Sequence, residues 1–258
     1  MSSLRRLVWE IWLPVLLLVV WFFASLGSES FYWPPLAEIL SDFRRLWVFD
    51  HLLTDALPTI VRLTIGFGIA FIVGVGIGLL LGTNPALETA TRPVIEFVRA
   101  TPGIAMLPII MVVLGTGDAM KVFTIALVSC WPILLNTIDG VRAVEPVLVD
   151  VARSYQLTRV SRIRDIVLPS AAPQILAGGR TALGVAVVVT VVTEMVGAPG
   201  GIGYFILDSQ RSFDISEMWT GVFVLGIIGY AVNKGFELAE SRVLRWHRGM
   251  LQHHEGHK

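Results

Sequence analysis

Side chains capable of chemistry are sparse in this sequence, and their spacing is not that of a catalytic centre. There is no HExxH, no cysteine pair and no GxSxG, and the lone Cys130 lies inside an apolar run. His253, His254 and His257 surround Glu255 near the chain end, an arrangement that suits a solvated tail better than a metal centre. No catalytic residue and no bound metal are therefore expected. A phosphate-cradling Gly-x-x-x-x-Gly-Lys loop is also missing, so the chain is not expected to hydrolyse ATP by itself.

Glu194 is the ionisable group that most needs an explanation. It stands between Thr193 and Met195 in an otherwise apolar region. A charge there is costly unless it faces a bundle interior or water. Two roles fit: lining a path through the bundle, or bracing a contact between helices. Arg99, Pro102 and Pro108 open another apolar stretch. Each proline removes a backbone donor and favours a bend, which fits a kink lining a pore as well as simple helix packing.

The elements that would hold these residues are long and apolar. Of 258 residues, 54% are hydrophobic and only 16% are charged, against about a quarter in an ordinary soluble domain. Uncharged runs occur at 11–28, 63–87, 100–117, 122–138, 181–207 (broken by Glu194) and 218–233. A bilayer span needs roughly 20 mainly apolar residues, so the expected fold is all-α and polytopic, with about six transmembrane helices in one domain over 1–258. The first run, rich in Trp and Phe and followed by no evident cleavage site, reads as a retained span and not as a signal peptide.

Twenty basic and 20 acidic residues leave no net charge, so there is no basic surplus with which to neutralise nucleic acid. Where the cations sit is more telling. With the N-terminus inside, the inner segments hold Arg5, Arg6, Arg92, Arg99, Arg142, Arg153, Arg159, Arg162, Arg164, Arg242, Arg245, Arg248 and Lys258. The outer segments hold Arg44, Arg45, Lys121 and Arg211, while Arg62, Arg180 and Lys234 fall at boundaries. The positive-inside rule then places both termini in the cytoplasm.

Three further patterns bear on function. Gly74, Gly78 and Gly82 recur every fourth residue, which aligns them on one helix face and lets a neighbouring helix approach closely. Leu36, Ile39, Leu40, Phe43, Leu46 and Trp47 follow Pro34 and Pro35 at helical spacing. They predict an amphipathic helix that lies on the outer interface or packs on its own domain. The inner loop 139–173 is long for a connection. It carries two amphipathic stretches, with Leu148, Val151, Ala152 and Tyr155 on one and Val160, Ile163 and Val167 on the other. Their apolar faces call for a surface to cover.

Residues 150–169 of that loop, DVARSYQLTRVSRIRDIVLP, resemble the EAA loop of the permease subunits of binding-protein-dependent ABC importers. The family pattern is Glu-Ala-Ala, three residues, Gly, nine residues, Ile, any residue, Leu-Pro. Asp150, Val151 and Ala152 fill the first three places, and Ile166, Leu168 and Pro169 fill the last. Gln156 stands where the family has glycine. If the usual left-handed turn is kept, an L-residue there costs about 1 kcal/mol or more. Segments at 99–108, 168–180, 193–195, 201–204 and 245–246 are similar to the nitrate/sulfonate/taurine/bicarbonate branch of these permeases.

The resemblance implies a type I importer permease fold in the cell inner membrane. It implies a channel-forming subunit for a small anionic or polar organic substrate. The implied partners are an ABC ATPase dimer carrying ATP-Mg, a second permease subunit (identical or different) and an extracytoplasmic substrate-binding protein, in contact with membrane lipid. No cofactor is implied on this chain. Asp150, Val151, Ala152, Gln156, Ile166, Leu168 and Pro169 would couple to the ATPase; Arg99, Pro102, Pro108 and Glu194 are the candidates for the path or its kink. The alternatives are a stand-alone secondary transporter, a membrane enzyme and a membrane scaffold. The first two would work without an ATPase.

Overall fold

The computed structural model describes residues 3–49, 51–197 and 199–245; Trp246, His253, His254, Glu255 and His257 lie outside them. The described residues form helices and no strand. In chain order these are α1 (Ser3–Ser25), α2 (Leu36–Phe49), α3 (Leu57–Gly82), α4 (Pro85–Ala100), α5 (Leu107–Leu114) and α6 (Asp118–Arg142). Then come α7 (Pro146–Ser154), α8 (Arg159–Arg162), α9 (Leu168–Gly197), α10 (Ile202–Arg211) and α11 (Ile215–Val243). The chain divides into two compact units, Met1–Pro58 with Pro199–Gly226, and Thr59–Ala198 with Ile227–Lys258.

Among the described residues, four helices are long and apolar enough to cross a membrane: Leu52–Gly82, Asp118–Arg142, Arg159–Gly197 and Ile215–Val243. A fifth crossing exists if the bent pair Pro85–Ala100 and Gly103–Leu114 counts as one span, and Trp12–Ser25 is a shorter apolar helix. Two sequence expectations change here. The run at 100–117 is not a straight span but the second limb of a pair bent by 83°. Pro102 sits in the break, while Pro108 occupies the first turn of α5, where a missing N–H costs nothing, and so starts a helix instead of kinking one. The run at 181–207 is likewise not one span: α9 ends at Gly197 and α10 is a separate helix.

Two of the long helices widen into a π turn just before a Leu-Pro pair. The N–H of Leu57 bonds to the carbonyl of Leu52, and that of Leu168 to Ile163, each five residues back. Pro58 and Pro169 follow. A proline inside an α-helix lacks its donor and clashes with the carbonyl four residues earlier; the wider turn accommodates both defects without ending the helix. The second amphipathic stretch of the loop at 139–173 is therefore not a free-standing helix. It is the first two turns of a continuous helix, Arg159–Gly197.

In the first unit, α2 buries Leu36, Ile39, Leu46 and Trp47 and leaves Leu40 exposed. Trp47 Nε1 donates to Thr220 Oγ1 at 2.9 Å, Ser216 donates to Asp42 at 2.7 Å, and Arg45 pairs with Glu217 at 3.1 Å. The amphipathic face of α2 thus packs on the protein itself, the second of the two readings its sequence allowed. Trp21 clusters with Trp33, Trp219 and Phe223 at ring-centroid distances of 5.1, 5.1 and 5.5 Å.

The second unit is organised around α6. A Cβ built on Gly66, Gly74, Gly78 or Gly82 of α3 would fall 2.6, 3.0, 2.5 or 2.7 Å from Ile125, Ile133, Thr137 or Val141 of α6. No side chain fits in those gaps, so this four-residue repeat sets how closely the two helices lie. α6 also meets α9, where a Cβ on Gly178 would come 2.6 Å from Asn136 and one on Gly140 would come 2.9 Å from Gln174. Small clusters fill the seams, such as Leu63, Ile125, Ala186 and Val189, or Ala70, Ile133 and Ala182. Without a hydrophobic drive between helices in lipid, such close van der Waals packing supplies much of the association.

Gly76 of α3 faces open space. Gly78→Ala should lower stability by roughly 1–3 kcal/mol through overpacking against Thr137, whereas Gly76→Ala should leave it within about 0.5 kcal/mol. Thermal unfolding of the two purified variants in detergent checks this, and equal midpoints would contradict the assigned seam.

Candidate functional site

Glu194 lies in α9, one turn from its end, and is fully buried. Its carboxylate accepts hydrogen bonds from Thr59 Oγ1 at 2.9 Å and from Arg62 Nη1 at 2.7 Å, both on α3. Arg62 also donates through Nε to Asp118 Oδ1 at 2.8 Å, and Asp118 is the first residue of α6. Lys121, 1% exposed, donates from Nζ to the Thr116 carbonyl at 3.1 Å and lies 3.6 Å from the same Asp118 Oδ1. Three helices thus meet in a cluster of two cations and two carboxylates. A buried charge is tolerable when it is paired and hydrogen-bonded in this way.

Sequence reasoning singled out Glu194 but missed its partners. It left Arg62 at a boundary and assigned Lys121 to an outer loop; the fold puts both inside the bundle. The available signal was that Arg62 is the only charge between His51 and Glu88 apart from Asp55, and an isolated cation beside an apolar span calls for a carboxylate elsewhere.

Arg99 and Pro102 sit apart from this cluster. Arg99, exposed at the end of α4, lines a hollow of about 180 Å³ with Glu88, Arg92, Glu96, Asp139 and Arg142. Within it Glu88 is buried and pairs with Arg142 at 2.6 Å and Arg92 at 3.3 Å. Pro102 lines a separate apolar groove of about 430 Å³ with Gly103, Ile104, Val128, Gly184, Val185, Val188 and Val189. Pro108 lines neither.

The loop at 139–173 forms the second candidate site. Val147, Leu148, Val151 and Tyr155 run along one side of α7 and into its cap, all exposed, with Tyr155 at 78%. Leu157 and Val160 continue this exposed apolar surface past the turn. Ala152 points the other way and is 1% exposed. Asp150 is exposed and pairs with Arg153 at 3.3 Å. Of the remaining family-pattern positions, Ile166 and Pro169 are half-buried and Leu168 is exposed. The loop's inner side borders a groove of about 520 Å³ lined by Val141, Val144, Val149, Val167, Arg142 and Arg162, among others.

The turn between α7 and α8 explains how the two stretches stay in register. The N–H of Leu157 bonds to the carbonyl of Ala152 and that of Gln156 to Arg153, each at 3.0 Å. This crossed pair is a Schellman cap, which needs its penultimate residue in the left-handed region. Gln156 occupies that place with φ of 50°. The left-handed turn is therefore kept although glycine is replaced. Thr158 then caps the next helix, its hydroxyl accepting from the Ser161 N–H at 3.2 Å.

Residues 70–239 match the family described as binding-protein-dependent transport system inner membrane component. A putative aliphatic sulfonates transport permease protein, SsuC of Bacillus subtilis, is 29% identical over 236 residues, covering 91% of this chain and 86% of that protein. The nitrate import permease protein NrtB of Synechococcus elongatus is 32% identical over 143 residues, 54% of this chain and 51% of its own length. Among solved structures, an inward-facing form of the MetNI methionine ABC transporter aligns with a TM-score of 0.65 at 20% identity, covering 73% of this chain and 94% of that one.

Two outcomes follow from the geometry. Gln156→Gly should raise stability by roughly 0.5–1 kcal/mol, the relief of the left-handed strain less the added freedom of the unfolded chain; a chemical-denaturation midpoint that falls would contradict the cap. Arg62→Met should cost several kcal/mol by leaving the buried Glu194 charge without its cation, and the double variant Arg62→Met/Glu194→Gln should recover part of that loss. A double-mutant cycle by thermal unfolding measures the coupling, and strict additivity would refute it.

Proposed function

The chain belongs to the binding-protein-dependent transport system inner membrane components, and we propose that it does this work by receiving an ATPase on the apolar stripe of its α7 loop. It is a multi-pass membrane protein and the channel-forming subunit of an ABC importer, of the nitrate/sulfonate/taurine branch. On this reading the substrate is a small anion of the sulfonate or nitrate kind. ATP-Mg is bound and hydrolysed on a separate ATPase dimer. A second permease subunit, by default another copy of this chain, completes the path, and a binding protein delivers substrate from outside.

The observation that carries the coupling role is the division of faces on α7. Ala152 is committed to the interior, while Val147, Leu148, Val151 and Tyr155 stand exposed together in a segment rich in arginine. An apolar stripe on a helix outside the bilayer is unfavourable in water and suited to a groove in a soluble partner. The loop is also directly joined to the bundle, because α8, the π turn and α9 form one helix from Arg159 to Gly197. A push on the loop therefore moves a helix that contacts α6 along much of its length.

The orientation proposed from the arginines places both termini and this loop in the cytoplasm. The junction of α5 and α6, and with it Asp118, then faces outward. In the first unit, segments that the same reading of the sequence assigns to the outer side line an acidic hollow of about 450 Å³ with Glu29, Glu38, Asp42, Asp214 and Glu217, together with Arg45, Phe31 and Phe213. That is the side on which the binding protein docks.

Val151→Asp, on the exposed stripe, should leave the protein at its normal level in the membrane yet abolish co-purification of the ATPase and reduce ATP-driven uptake at least tenfold. Ala152→Asp should instead lower the amount of folded protein, because it buries a charge inside the loop. Full uptake by the Val151 variant would remove the stripe from the coupling surface.

A further inference from the structure

We propose that Arg62 and Lys121 form a seat for a monovalent oxyanion, and that the Asp118 carboxylate occupies this seat as a displaceable placeholder. The proposal rests on the importer reading above and names a step within it: an anionic headgroup entering the bundle from the outer side.

The four charges of the cluster are not equivalent. Glu194 is fully buried and fixed to α3 by Thr59 and by Arg62 Nη1. The second carboxylate, which balances the second buried cation, belongs to a side chain that is 70% exposed. A single oxygen of that carboxylate, Oδ1, serves both cations, at 2.8 Å from Arg62 Nε and 3.6 Å from Lys121 Nζ. One oxygen atom thus marks a point on which two buried cationic groups converge, and it is presented from the surface.

The surroundings suit an exchange. Asp118 follows Gly115, Thr116 and Gly117, and a Cβ on either glycine would meet nothing within 4 Å. Gly115 has φ of 74°, a conformation that glycine adopts without strain. Open space thus lies beside both glycines, while Thr116 between them is held by Lys121 through its carbonyl. The N-terminus of α6 is capped by Gly117 with no side-chain hydrogen bond, so its first amide groups add positive potential at the same place. Without Asp118, the group of Arg62, Lys121 and Glu194 carries one net positive charge. A monovalent sulfonate or nitrate-type anion replaces the carboxylate without changing the total charge, and its oxygens fit donors that already hold a carboxylate oxygen. A neutral solute or a cation has no such exchange available.

The test uses the full chain in detergent with sodium ethanesulfonate and sodium nitrate as probes, against sodium chloride at equal ionic strength. Asp118→Asn removes the placeholder's charge. It should lower the thermal unfolding midpoint, and ethanesulfonate or nitrate should restore it with half-saturation at least tenfold below that of the wild type. Adding Lys121→Met to Asp118→Asn should abolish the restoration. The proposal is overturned if neither oxyanion restores the Asp118→Asn variant better than chloride does, or if restoration survives Lys121→Met. These measurements need no ATPase. Failure of the importer reading would instead appear as uptake by wild-type vesicles that is independent of ATP and of the ATPase.

Discussion

Close contact between α3 and α6 is the constraint on which the second unit depends. Lipid offers apolar side chains no reason to leave it, so helices in a bilayer associate through shape and through satisfied polar groups. Gly66, Gly74, Gly78 and Gly82 provide the shape, each opposite a branched side chain of α6. That proximity brings Arg62 of α3 within reach of Asp118 on α6, while α9, which touches both helices, presents Glu194 to Arg62. The ion cluster is thus a consequence of the glycine seam, and it in turn ties together the ends of three helices.

The same unit contains a mechanical link. The helix from Arg159 to Gly197 has 39 residues, roughly 58 Å at the α-helical rise. One end belongs to the loop with the exposed apolar stripe and the other carries Glu194. The π turn at Ile163–Val167 lets this helix pass Pro169 without a break. The coupling proposed above would use this single element to carry a displacement at the loop to the seam with α6 and to the charged cluster. Under that proposal, binding energy gained on the loop would bias the packing at the far end through a continuous connection.

Gln156 illustrates the tension between local preference and the larger fold. Its side chain disfavours φ of 50°, yet the Schellman bonds from Leu157 and Gln156 and the capping of α8 by Thr158 all require that turn. Burial of Ala152 on one side and the start of the long helix on the other fix where the chain must go. Phe213, with φ of 65°, ends α10 in the same way, through bonds from Asp214 to Ser209 and from Phe213 to Gln210. In both places the hydrogen bonds of a helix end outweigh a strain of about 1–2 kcal/mol.

Much of this was legible in the sequence. Uncharged runs declare membrane helices because a bilayer admits little else, arginine placement suggests their direction, and glycines at every fourth position declare a close helix contact. The spacing from Asp150 to Pro169 identified the family. These are local or periodic signals, complete within one stretch of chain. The rest depended on which stretches meet. Nothing near Arg62 in the sequence announces Glu194 or Asp118, which lie 132 and 56 positions away. A proline reads alike whether it breaks a helix, as Pro102 does, or begins one, as Pro108 does. An amphipathic face such as that of α2 reads alike whether lipid or protein covers it. The sequence by itself therefore determined that this is a helical membrane subunit of a known family. Only the tertiary structure decided which charges neutralise one another and which apolar faces remain open, because both are set by neighbours that the chain brings together over long distances.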